Sequence, residues 1–95
     1  MDDEKRRSAL AEQLTAAGTA HGEYEKNALN GEYDEQWAEW YASYLIGHQW
    51  NDQFRTGWDV GELAEALRRA NTAHRADAPL KRWQDFYSEQ FAARD

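Results

Sequence analysis

Residues 10–21 read LAEQLTAAGTAH, and residues 63–74 read LAEALRRANTAH. Eight of the twelve aligned positions are identical without a gap, and three of those are alanine, which any helix accepts. The other five pair Leu10 with Leu63, Glu12 with Glu65, Leu14 with Leu67, Thr19 with Thr72 and His21 with His74. A second block follows each first one: Trp37-Ala38-Glu39-Trp40-Tyr41 aligns with Trp83-Gln84-Asp85-Phe86-Tyr87, and Leu45 then meets Phe91. The offset is 53 in the first block and 46 in the second, so the first copy holds seven extra residues between its blocks. Seven residues are close to two helical turns. A unit of about fifty residues used twice is too short for a solenoid. The expected fold is all-α, a four-helix bundle of two tandem helix-hairpin repeats related by a pseudo-twofold axis.

Spacing carries the helices. Leu10, Leu14, Ala17, His21, Tyr24 and Ala28 recur every three or four residues along one face of a first helix. Asn30-Gly31 tolerates the left-handed conformation and predicts its C-terminal cap. Asp34 is the expected N-cap of a second helix, whose inward arc reads Trp37, Trp40, Tyr41, Tyr44, Leu45 and His48 and which Gly47 stops. A connection over residues 49–58 is anchored by Trp50, Phe54 and Trp58. Asp59 and Glu62 have capping-box spacing ahead of a third helix with Val60, Leu63, Leu67, Ala70 and His74 inward. Pro79 suits the first turn of a fourth helix that buries Leu80, Trp83, Tyr87 and Phe91. The chain reads as one domain over residues 1–95, with repeat 1 at about 3–48 and repeat 2 at about 59–93. No segment alternates as a strand does.

Composition narrows the function classes. The chain has 95 residues, no cysteine and a net charge of −7. Disulfides and thiolate metal sites are excluded, and a reducing cytoplasm is the expected location. The acidic, non-apolar start is not a signal peptide, and no stretch approaches the roughly 20 apolar residues that span a bilayer. The negative charge is repelled by a phosphate backbone, which argues against nucleic-acid binding. The charge is also uneven. Acidic residues dominate 23–39 and basic residues dominate 68–82, a pattern that fits two solvated faces or complementary surfaces. No turn motif activates Ser8, Ser43 or Ser88, and no Gly-rich phosphate loop occurs, so no catalytic residue is assigned and an enzyme is not expected.

The run Ala20-His21-Gly22-Glu23-Tyr24-Glu25, followed by Asp34 and Trp37-Ala38-Glu39-Trp40-Tyr41-Ala42-Ser43-Tyr44, resembles short bacterial helical domains. These carry an A-H-x-x-Y-E segment and then D-x-x-W-x-x-W-Y-A-x-Y. They often have proline after the first tryptophan, where this chain has Ala38. The resemblance implies a small helical domain and brings no activity with it.

Histidine is the side chain that titrates near neutral pH. In a bundle of alternating helix direction, His21 and His74 lie near the hairpin turns and His48 lies toward the other end. A three-histidine metal site is disfavoured. The expected role of His21 and His74 is structural, each hydrogen-bonded to a tyrosine, Tyr41 for His21 and Tyr87 for His74. No cofactor or metal is expected on this reading. The alternative is a metal or small-ligand site on His21, His74 and Glu25, although Gly18 and Asn71 break the E-x-x-H spacing of di-iron bundles. Trp37, Tyr41, Trp83 and Tyr87 point to the core by helical projection. Trp40 and Phe86 fall at its edge and are the candidate interface with a protein partner or a second copy. The expected function is a non-enzymatic protein-interaction or regulatory module. A small-ligand or metal-binding protein is the alternative, and an acidic mimic of nucleic acid is a weaker one.

Overall fold

The computed structural model describes residues 2–54 and 57–93. Among them lie four α-helices and a 3₁₀ turn, with no strand: α1 is Asp2–Ala28, α2 is Trp37–Gly47, α3 is Val60–Asp77 and α4 is Trp83–Ala92, with the turn at Trp50–Gln53. Each helix packs on two others. The broad contacts are α1 with α4 and α2 with α3, and the narrower ones are α1 with α2 and α3 with α4. A twofold exchange of the two hairpins turns each broad contact into the other, and likewise each narrow one. The fold is a four-helix bundle of two helix hairpins in that pseudo-twofold arrangement.

Local signals placed most helix ends. Asn30 and Gly31 take positive φ of 54° and 82°, and the Gly31 amide donates to the Glu25 carbonyl at 2.8 Å, closing α1 as a left-handed cap does. Asp59 caps α3 reciprocally: its side chain accepts from the Glu62 amide at 2.8 Å, and the Glu62 side chain accepts from the Asp59 amide at 3.3 Å. The seven extra residues of the first copy divide between helix and loop. Relative to the histidines, four of them add a turn to α1 and three lengthen the loop between α1 and α2.

Two predicted starts are corrected. Helix α2 begins at Trp37 with Gln36 at its N-cap position, so Asp34 does not cap it. Asp34 instead organises the preceding turn, its Oδ1 accepting from the Gln36 amide at 2.9 Å. Helix α4 begins at Trp83 with Arg82 before it. Pro79 lies in the turn, and Leu80 is fully exposed there instead of buried.

The core centres on Leu10, Leu14 and Ala17 of α1, Leu45 of α2, and Leu63 and Leu67 of α3, all with no exposed surface. The inward face of α2 is Ala38, Ala42 and Leu45, and the large aromatics flank it. Small residues four apart leave a groove for the ridges of a neighbouring helix, so α2 and α3 approach through alanine while the rings reach sideways. Trp50, Phe54 and Trp58 anchor the connection as expected, with Trp50 fully buried. Their rings meet Phe91 of α4: Trp50 and Trp58 lie edge-on to it at 5.1 and 5.5 Å. Asn51 ties this connection to itself, bonding both the amide and the carbonyl of Trp58. Residues 55 and 56 of the connection lie outside the described residues.

Candidate ligand-binding cavity

The opposite end of the bundle, at the two hairpin turns, is not filled. A cavity of about 360 Å³ opens there between the hairpins. Three pairs of sequence-equivalent residues line it: His21 and His74, Trp37 and Trp83, Tyr41 and Tyr87. The rings form a continuous wall from one histidine to the other. His21 lies 4.9 Å from Tyr41, Tyr41 6.0 Å from Trp83, Trp83 5.1 Å from Tyr87, and Tyr87 6.3 Å from His74, between ring centroids. Trp37 adds an edge-on contact to Tyr41 at 5.7 Å. Gly18 makes this wall possible. A Cβ there would stand 3.0 Å from Cζ2 of Trp83 and 3.5 Å from the Tyr41 hydroxyl.

The histidines share the cavity, and each is also held by a hydrogen bond. The partners differ from those expected. His21 Nε2 lies 2.9 Å from Oδ2 of Asp34, not on Tyr41. His74 Nε2 lies 2.5 Å from the Lys81 carbonyl, not on Tyr87. The tyrosines contact the imidazoles as ring neighbours. The longer first loop brings Asp34 back over α1, and the turn before α4 presents its own carbonyl, so backbone path decided both partners. A carbonyl only accepts, and a carboxylate at neutral pH only accepts. Both Nε2 atoms therefore carry hydrogen, which leaves only the two Nδ1 atoms for a metal. Among the described residues, no group of three or more His, Asp or Glu side chains has the geometry to hold a metal ion.

Charge breaks the symmetry of the aromatic frame. Glu25 comes from α1, and Arg75 and Asn71 come from α3. Glu25 is already engaged: its Oε2 accepts from the Asp34 amide at 3.3 Å, and its Oε1 stands 3.8 Å from Nδ1 of His21. Tyr33 forms an exposed part of the rim. Burial pushes the Tyr41 hydroxyl up from its ordinary pKa, and the Glu25 carboxylate adds to the rise. Burial pushes Tyr87 up to about 12, with Tyr41 adding to the rise and Arg75 opposing it. Both hydroxyls are therefore neutral donors throughout the physiological range.

The edge aromatics are placed differently from each other. Phe86 is 8% exposed and packs against His74 at 5.3 Å, so it is a core residue and not an exposed contact. Trp40 is half-buried and stacks on Tyr44 at 5.5 Å, and Tyr44 stacks on His48 at 3.9 Å. Phe86 follows Trp40 in the alignment, yet the shorter second loop seats α4 with Phe86, Tyr87 and Ser88 all buried. His48 lies outside the cavity, its Nδ1 donating to the Tyr44 carbonyl.

Sequence reading assigned Asn71, Arg75 and Asp34 no place in a site. Asn71 had a signal, since it is the equivalent of Gly18 and stands three residues before His74 as Gly18 does before His21. Arg75 was lost in a solvated basic run. The acidic and basic stretches meet where Arg68 pairs with Glu39 at 2.6 Å on the half-exposed flank of α2 and α3. No helix is long and apolar enough to cross a membrane among the described residues. The chain matches no family model, no curated protein and no solved structure.

Proposed function

We propose that this protein is a small, non-enzymatic domain that binds a small molecule in the cavity between its hairpins. The observation that supports this is the convergence of three equivalent residue pairs on one cavity of about 360 Å³. That size, and a wall of Trp and Tyr rings with His, Asn, Glu and Arg groups converging on it, match the usual ligand site. The cleft is open to solvent on the side of Tyr33 and Arg75, which gives a ligand a way in. The occupied Nε2 atoms favour an organic ligand over a metal ion. The cysteine-free sequence fits a reducing cytoplasm as the place of action.

The reading is tested by titrating the protein with phenylethanol and following amide and indole N–H signals by NMR. The expected result is saturable shifts centred on Trp37, Trp83 and Asn71, lost in Trp83→Ala. Shifts scattered over the surface, or none at millimolar probe, would remove the cavity as a binding site. A second reading, contact with a protein partner, keeps support from the half-exposed stack of Trp40 on Tyr44.

A further inference from the structure

Arg75 distinguishes one kind of ligand from others at this cavity. It is exposed and lines the cavity beside Tyr87 and His74, and its charge partly opposes the rise in the Tyr87 pKa. Among the described residues, no carboxylate forms an ion pair with it, whereas Arg68, Arg69 and Arg82 each have one. The carboxylate in the lining, Glu25, places its charge on the α1 side of the cavity, beside Tyr41. Asp34 accepts from His21 and from the Gln36 amide, and Glu25 accepts from the Asp34 amide while facing His21. Toward α3 and α4 the Asn71 amide NH2 and the Tyr87 hydroxyl can each donate to an anion.

We infer that the ligand is an apolar carboxylate, its ring or chain seated between Trp37 and Trp83 and its anionic end on Arg75, with Asn71 and Tyr87 as further donors. An ammonium at the same position would face a guanidinium, and a neutral hydroxyl would leave the fork of N–H donors unused. Guanidinium matches a carboxylate with two parallel hydrogen bonds, which a point charge does not. The inference rests on the cavity being a ligand site.

Three probes that share a phenyl ring and a two-carbon chain separate the possibilities: phenylacetate, phenylethanol and phenethylamine. Each is titrated into the full chain and into Arg75→Gln, with NMR shifts of Trp37, Trp83 and Asn71 as the readout. Phenylacetate is expected to bind about tenfold more tightly than phenylethanol, as a charged hydrogen bond allows, and phenethylamine more weakly than either. In Arg75→Gln that preference should vanish, phenylacetate losing about tenfold relative to phenylethanol in the same variant. The side chain is exposed, so this variant tests charge and not folding. Equal binding of phenylacetate and phenylethanol, or tighter binding of phenethylamine, overturns the carboxylate assignment and leaves the cavity reading standing. No binding of any probe overturns both.

Discussion

His21 and Asp34 are joined by a 2.9 Å hydrogen bond whose two side chains are 8% and 12% exposed. The bond ties α1 to the loop before α2 at the edge of the cavity. Because it is nearly dry, removing either partner leaves the other buried and unsatisfied. Asp34→Ala is expected to lower stability by about 1–3 kcal/mol. The same change in a His21→Ala background should cost clearly less, and the coupling is read by urea unfolding of the four-member cycle. Tyr41→Phe, by contrast, removes no hydrogen bond to His21. Additive effects of the His21 and Asp34 changes would show that the contact does not matter for stability.

Gly18 and Gly22 lie one turn apart in α1, yet opposite outcomes are expected for them. A Cβ on Gly22 meets nothing within 4 Å, so Gly22→Ala should stabilise the helix by about 0.5–1 kcal/mol. A Cβ on Gly18 would press on Trp83, so Gly18→Ala should lose most of that gain and change the fluorescence and probe affinity of the cavity. Thermal unfolding of both variants checks the contrast. Equal stabilisation with an unchanged Trp83 signal would mean that the ring yields freely.

Tyr41 and Tyr87 make stability fall in strong base. Both hydroxyls have folded pKa values above the unfolded value near 10. Between these values the native state keeps protons that the unfolded chain loses. The contribution is therefore fully present below about pH 10 and is lost as pH rises toward about 12. For Tyr87 this amounts to about 3 kcal/mol at about 1.4 kcal/mol per unit. Urea midpoints measured from pH 9 upward should drop, and Tyr87→Phe should drop less. A spectrophotometric titration in which all tyrosines ionise together near pH 10 in the folded protein would contradict this.

Phe86 and Trp40 occupy equivalent sequence positions but should respond to different experiments. Phe86→Ala empties part of the core and is expected to cost about 3–5 kcal/mol regardless of protein concentration. Trp40→Ala should cost less stability. If the half-exposed stack is a contact surface, this change should weaken self-association more than folding, as sedimentation would report. A monomer at high concentration for the unmodified chain would exclude Trp40 as a homodimer contact.

Sequence alone determined what depends on neighbours along the chain. Asp59 and Glu62 form their capping box within one turn of α3, Asn30-Gly31 ends α1 through positive φ, and Gly47 is the last residue of α2. These depend on local dihedrals and bonds, which residue type and spacing specify. Periodicity also identified the buried leucines of α1, α2 and α3, but it placed Leu80 inward as well, because it could not show that α4 starts only at Trp83. It misjudged α2, where ring size outweighed Ala38 and Ala42. Only the tertiary structure decided which atoms meet His21 and His74, since those partners come from loops whose course depends on how the hairpins pack. Tertiary structure also decided that the paired Trp, Tyr and His residues surround a space instead of filling it. That outcome depends on how the two hairpins pack against each other, including the close approach of Trp83 to Gly18, and no residue's own preference records that packing.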